Sequence, residues 1–303
     1  MSAALFGPIL LTGAQGQVGW ELGKRLGAMG EVHALDRSKL DLCDLDAVRT
    51  LVRELKPALI VNAAAYTAVD KAESDIEGAW RLNAELPGLL AEEALKLDAA
   101  LVHYSTDYVF DGLGADGKGA PHRETDAARP LNAYGRSKLA GEQMIAANGC
   151  RQLVLRTSWV YGLRGGNFLL TMLKLAAERP ELRIIDDQFG APTWCATIAE
   201  STCEVLAQAL DAGNAKAWWE EKGGLYHLAA AGETTWYGYA QAIFRNATLQ
   251  KVPTVQPIPA SEYPLPAKRP TSSRLDCGKF RQVFGLALPN WELALRACLV
   301  NRI

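Results

Sequence analysis

No apolar run in this 303-residue chain approaches the ~20 residues that a bilayer span requires, so no membrane partner is expected. The N-terminus, MSAALFGPILLTGAQG, has no basic region ahead of its apolar stretch, which argues against a secretory signal. Six cysteines (Cys43, Cys150, Cys195, Cys203, Cys277 and Cys298) lie far apart with no CxxC pair. In a chain of this length they read as reduced, mostly buried thiols and not as a disulfide framework. The four histidines are equally scattered, so metal-ligand spacing is missing and the metal expectation is none. Basic blocks are lacking too: the net charge is −2 with both signs dispersed, which excludes a nucleic-acid or anionic-surface binder by charge. There is no internal repeat and no low-complexity segment. What remains is an expectation of a soluble cytoplasmic protein.

What is present is ample apolar material, 49% of residues, enough for a sizeable core. In the first half, short apolar runs alternate with helical patterns. Strands are expected at 8–13, 31–36, 58–65, 99–106 and 152–158. Helices are expected at 17–28, 45–55 with Asp44 as cap, 71–96 with a break near Pro87, and 132–148. Strands apolar on both faces that alternate with helices imply βαβ units around a buried parallel sheet. The stretch 111–131, rich in Gly, Asp and Pro, reads as a long functional loop. Beyond Trp159 the rhythm loosens: helices at 167–178, 196–211, 235–246, 276–284 and 291–300, strands at 182–186 and 225–229, and a Pro-rich segment at 253–270. The expected class is α/β, a Rossmann-type doubly wound parallel sheet with a smaller interleaved C-terminal α/β substrate lobe. Residues 1–160 would form the nucleotide-binding domain, with 190–225 returning to it. Residues 161–189 and 226–303 would form the substrate lobe.

The segment LLTGAQGQVGWEL follows the first strand and opens the first helix, with Gly13, Gly16 and Gly19 at G-x-x-G-x-x-G spacing. One glycine permits a tight turn, the next lets backbone approach a pyrophosphate at the helix N-terminus, and the last lets helix and strand pack closely. Gln17 and Val18 lie between them. A glycine triplet alone fits a merely structural turn; a strand before, a helix after and an acid ending the second strand favour a dinucleotide. That acid, Asp36, suits the adenosine ribose hydroxyls of NADH, whereas Arg37 suits the 2′-phosphate of NADPH, and both cofactors stay open. Asp41 and Leu42 follow the second strand, and the small residues Asn62-Ala63-Ala64-Ala65, then Tyr66 and Thr67, follow the third. They either wall the cofactor site or pack against the glycine helix.

Tyr134 and Lys138, four apart in NAYGRSK, share a helix face if the helix begins near Asn132. A free phenol has a pKa near 10, and an adjacent ammonium favours its phenolate. Y-x-x-x-K alone is a common accident; after a nucleotide-binding glycine loop it points to proton delivery beside a hydride source. A third member is expected where a strand ends at the ligand edge of the sheet. Ser105, Thr106 and Asp107 lie there in VHYSTDYVFDG, and Thr106 would hydrogen-bond a substrate oxygen. Asn83 is a weaker candidate to support the lysine.

These residues resemble the extended short-chain dehydrogenase/reductase family, and within it the reductases of sugar nucleotides. The resemblance covers nearly the whole length, through VNAAAYTAVDKAE, VHYSTDYVFDG, ETDAARPLNAYGRSKLAGE, LRTSWVYG, DDQFGAPT, GLYHLAAAGETTW and KRPTSSRLD. It implies NADPH or NADH as cofactor and reduction of the C4 keto group of dTDP-4-dehydro-β-L-rhamnose. Tyr134 would be the proton donor and Lys138 its partner and ribose ligand. Thr106 would tune the site, Asp107 would help hold the dTDP-sugar substrate, and Trp159 would lie against it. Lys268, Arg269 and Arg274 would meet the diphosphate, or else form a solvated basic face. Related dehydratases carry Thr-Asp-Glu where this chain has Thr106-Asp107-Tyr108, which disfavours an epimerase or dehydratase on the same fold. The intact Thr106, Tyr134 and Lys138 disfavour a non-catalytic relative such as the regulatory subunit of methionine adenosyltransferase. Some relatives bridge a homodimer through Mg2+ held by glutamates. Glu21 matches one such position, but Ala196 and Asn301 stand where further acids would fall, so that set is incomplete.

Overall fold

The structure is a computed structural model that describes residues 6–36, 39–114, 116, 117 and 119–300. In chain order it runs β1 (Ile9–Thr12), α1 (Gln17–Leu26), β2 (Val32–Ala34), α2 (Leu45–Leu55), β3 (Leu59–Asn62), α3 (Ile76–Trp80), α4 (Leu86–Lys96), β4 (Ala100–Thr106), α5 (Ala133–Asn148) and β5 (Arg151–Thr157). There follow β6 (Val160–Tyr161), α6 (Phe168–Glu178), β7 (Glu181–Ile185), β8 (Phe189–Gly190), β9 (Thr193–Trp194), α7 (Cys195–Asp211), α8 (Ala215–Lys222) and β10 (Gly224–His227). The chain ends with β11 (Thr234–Thr235), α9 (Trp236–Asn246), β12 (Thr254–Ile258), α10 (Gly278–Phe284) and α11 (Trp291–Val300).

Six of these strands form one parallel sheet in the order β10-β5-β4-β3-β1-β2. β1, β3 and β4 are buried along their whole length, as strands covered on both faces must be. One face carries α1, α7, α8 and α10, which bring Leu22, Ile198, Leu206, Trp218 and Phe280 onto the sheet. The other carries α2, α4 and α5, with Val48, Val52, Leu90 and Ile145. The strand order reverses between β1 and β3, and the crevice at their C-terminal ends is where such sheets take a ligand.

A second core, built on Tyr161, Leu169, Leu173, Tyr239, Ile243, Trp291 and Leu295, joins α6, α9 and α11 with the two-stranded pair β7–β12. This is the smaller lobe. Helix α10 and Tyr226 of β10, anticipated in that lobe, belong to the large sheet and its core, to which α10 gives Phe280 and Phe284.

Two further differences have physical causes. The break expected near Pro87 is a π-helical turn over Arg81–Glu85, which ends two residues before it. Pro87 has no N–H to give the Asn83 carbonyl, and the helix absorbs the loss by widening upstream. Gly141 of α5 packs directly on that carbonyl, where a Cβ would clash. Helix α8 and strand β12 were not anticipated. β12 contains Pro257, but it pairs with β7 alone, and a sheet edge tolerates a missing N–H.

Candidate active site

The glycine loop is shaped by close backbone approaches. Gly13 adopts φ 68°, and a Cβ there would lie 2.5 Å from the Ala63 carbonyl carbon. A Cβ on Gly19 would overlap the Gly13 carbonyl, and the Gly16 N–H donates to the Gly13 oxygen at 2.9 Å. Helix α1 therefore starts against β1 and β3 with its first N–H groups at the crevice. A groove of about 1030 Å³ runs from there past Gly13, Gly16, Leu35, Asp36, Asp41, Leu42, Ala65 and Tyr66. Its dimensions and its donors suit a dinucleotide. Gln17 points elsewhere, its Oε1 accepting from Asn167 at 3.0 Å, and Val18 packs toward the core. Thr67 is exposed. Arg37 lies outside the described residues.

Tyr66 is fixed at both backbone groups. Asn83 Oδ1 accepts its N–H at 2.8 Å and Asn83 Nδ2 donates to its carbonyl at 3.0 Å and to Ser137 Oγ, also at 3.0 Å. Asn83 thus clamps the groove wall to α5 and does not bond to Lys138.

Helix α5 begins as the sequence suggested. Asn132 Oδ1 accepts from the Gly135 N–H at 2.8 Å, and the Glu73 carboxylate accepts from the Ala133 N–H at 2.6 Å. Both satisfy donors orphaned at a helix start. Tyr134 is half-buried, with Tyr108 edge-on at 5.6 Å. Burial pushes the Tyr134 phenol up to about 12, although a hydrogen bond with Thr106 opposes the rise. The proximity of an ammonium was expected to lower it, but Lys138 is turned inward. Its Nζ donates to the Tyr104 carbonyl at 2.6 Å and lies 3.1 Å from His103 Nε2. Burial brings the Lys138 amine down to about 8, against the pull of Glu142. Glu142 is itself engaged with Arg156 of β5 through two bonds of 2.6 and 2.9 Å, a buried bidentate pair.

Thr106 ends β4 beside Tyr134. Its hydroxyl accepts from the Tyr108 N–H and donates to Asp107 Oδ1, both at 3.1 Å. Burial raises the Asp107 carboxyl to about 6 while Ser273 and Thr106 oppose it. Asp107 Oδ2, Ser105 Oγ and Thr157 Oγ1 are buried at this edge without a hydrogen-bond partner. Such orphaned polar atoms, rare in folded proteins, fit an edge that receives a polar ligand.

Aromatic and basic groups lie beyond the end of β5 and in the smaller lobe. Trp159, with φ 47°, stacks on Trp236 at 3.6 Å and lies against Gly190, where a Cβ would clash. Arg269 grips Asp70 with bonds of 2.7 and 3.0 Å, and Arg274 bonds to Glu233 at 2.6 Å and to the Gly119 carbonyl. Lys268 is exposed, while its carbonyl accepts from Asn132. Glu21 faces α7 with its carboxylate bonded to Lys24 and Arg25; although burial raises its pKa, these cations leave it lowered. Ala196 is buried in α7, and Asn301 lies outside the described residues. Among the described residues no cluster of three His, Cys, Asp or Glu side chains could hold a metal ion. Sequence reasoning missed His103, Asp70 and Trp236, and it named Asn62 only with the small residues after β3, not for its amide. A polar residue inside an otherwise apolar strand is the one signal that could have flagged His103.

Comparison with known proteins places this geometry. A family model described as the RmlD substrate binding domain matches residues 7–302. A dTDP-4-dehydrorhamnose reductase of Burkholderia thailandensis is 46% identical over 297 residues, covering 96% of this chain and 97% of that protein. The reductase of the same name from Escherichia coli K12 is 44% identical, with 96% of each covered. Among solved structures, a dTDP-4-dehydrorhamnose reductase of Clostridium acetobutylicum superposes with a TM-score of 0.88 at 35% identity, covering 98% of this chain and all of that one. One from Bacillus anthracis, in complex with NADP, gives 0.87 at 32% identity, with 98% and 99% covered.

Proposed function

The chain belongs to the family of the RmlD substrate binding domain, and from that membership we propose that it reduces the C4 keto group of dTDP-4-dehydro-β-L-rhamnose with NADPH or NADH, giving dTDP-L-rhamnose. The bound nicotinamide cofactor supplies the hydride. The backbone N–H groups of Gly13–Gly19 and the start of α1 hold the pyrophosphate, and Asp36 and Arg37 meet the adenosine ribose. Asp41, Leu42, Ala65, Tyr66 and Thr67 wall the cofactor, with Gln17 and Val18 shaping the loop.

Tyr134 gives its phenolic proton to the sugar oxygen as negative charge develops there. A phenol whose pKa is raised to about 12 stays protonated at neutral pH, as a donor must. The Thr106 hydroxyl steadies the same oxygen. Lys138 stabilises the phenolate that results and contacts the nicotinamide ribose. Asp107 and Trp159 hold the sugar, and Lys268, Arg269 and Arg274 meet the diphosphate. Glutamate is replaced by Tyr108 after Asp107, so the strand end offers no added base for water elimination. The reading extends to a homodimer working in the cytoplasm, which sedimentation and cell fractionation test. No helix among the described residues is long and apolar enough to cross a membrane.

The carrying observation is the meeting of Thr106 and Tyr134 at the ligand edge of the sheet, one strand from the glycine-loop groove. The test is loss of absorbance at 340 nm from NADPH with the dTDP-4-keto sugar. Tyr134→Phe is expected to cut kcat by ~10²–10⁴-fold with little change in cofactor affinity; an unchanged rate overturns the assignment.

A further inference from the structure

Three neighbouring strands carry polar side chains at one level of the sheet: Thr12 of β1 is in register with Asn62 of β3, and Asn62 with His103 of β4. All three are fully buried. Thr12 Oγ1 donates to Asn62 Oδ1 at 2.7 Å, and the Ala64 N–H donates to the same oxygen at 3.2 Å. The backbone donor fixes which end of the Asn62 amide faces which way. Its Nδ2 therefore faces His103 Nδ1, at 3.1 Å, and must donate to it. A neutral imidazole that accepts at Nδ1 carries its proton on Nε2. That Nε2–H points at Lys138 Nζ, 3.1 Å away. An uncharged amine accepts this proton and still donates to the Tyr104 carbonyl; an ammonium would set one N–H against another.

We propose that His103, oriented by Asn62, is a positioning residue for Lys138: its Nε2–H holds the lysine in the pocket behind Tyr104 and favours its free amine at mildly alkaline pH, which takes up a proton when the cofactor occupies the site. The proton comes from solvent, and Lys138–NH2 becomes Lys138–NH3+ with no other bond changed. Burial acts in the same direction on both groups. It drives His103 well below its ordinary value, with Lys138 adding to the fall, and lowers Lys138 to about 8. The remaining titratable or charged groups around the pair are Tyr134 and Glu142 of α5, Arg156 of β5, which neutralises Glu142, and Asp107 after β4. The inference rests on the reading of Lys138 as the partner of Tyr134.

Nitrogen NMR of the ¹⁵N-labelled, cofactor-free protein tests the tautomer with no turnover involved. His103, one of four histidines, is assigned by the signals lost in His103→Gln. Protonated Nε2 and bare Nδ1 are expected; a proton on Nδ1 overturns the proposal. Asn62→Asp presents a carboxylate that accepts from Nδ1–H, so the imidazole turns its lone pair to Lys138 and favours the ammonium. In that variant the alkaline limb of kcat/KM should move up by about one pH unit or more. Calorimetric titration with NADPH near pH 8, in buffers of differing ionisation enthalpy, should show proton uptake by the parent and less by the variant. His103→Gln, whose amide can turn its oxygen to the ammonium, should move the limb the same way if Asn62→Asp does not fold. An unmoved limb and equal proton uptake in a folded variant overturn the role. Absent turnover with the dTDP-4-keto sugar would instead sink the proposed function and leave the tautomer to NMR.

Discussion

The two ends of the crevice are built from different materials. The end proposed for the nucleotide is backbone: glycines in van der Waals contact with one another's peptide groups, braced by strands buried along their whole length. The end proposed for the sugar is side chains held by other side chains, with Trp159 on Trp236, Arg269 on Asp70 and Arg274 on Glu233. A backbone site is ready before its ligand arrives. A side-chain site has partners to exchange when the ligand comes, so its groups keep one another ordered meanwhile.

The contrast breaks if damage at one end spreads evenly to both. The largest effect is expected from Gly19→Val, because a side chain there has no room beside the Gly13 carbonyl. NADPH binding should vanish from calorimetric titration while the small lobe stays folded. Next comes Glu142→Gln on the buried face of α5, which leaves the buried Arg156 guanidinium uncompensated. Urea unfolding should show a loss of ~3–5 kcal/mol.

A smaller, pH-dependent effect belongs to Glu93 at the nucleotide side. Arg53 foremost, then Lys96 and Arg49, hold its carboxyl down to about 2, against burial. Because that value lies below the ordinary one, the stabilisation is complete above pH ~4.5 and fades as pH falls toward 2. Acid titration of the melting temperature should flatten over this window in Glu93→Gln. The smallest change is expected from Trp236→Ala. Losing one stacked pair, ~0.5–1.5 kcal/mol, should raise KM for the sugar nucleotide several-fold and leave KM for NADPH alone. Equal rises in both would erase the distinction between the ends.

That same difference in material explains what was legible in the sequence. Gly13, Gly16 and Gly19 advertise their purpose by spacing, since a backbone site needs residues defined by the Cβ they lack. The sheet and its helices were readable because apolar periodicity and caps such as Asp44 and Asn132 are local. Tyr134 and Lys138 were readable as sharing a face, but not the direction of the lysine, which is set by His103 and Tyr104 of β4. The pairing of Arg269 with Asp70 joins residues 199 apart, and nothing near either residue announces it. The two-residue strands escaped for a further reason: two residues carry no periodicity to stand out.

The strand order has a consequence for synthesis on the ribosome. β5 receives its last neighbour, β10, only after residues 158–223 have been made, at ~5–20 residues per second a wait on the order of 3–13 s. During that interval β5 presents Leu153 and Leu155 on an unpaired edge, a template for the wrong strand of another nascent chain. The segment that makes up the wait contains α7, whose Ile198 and Leu206 pack on the same sheet. Crowded translation should therefore be the step at which this fold most needs a chaperone.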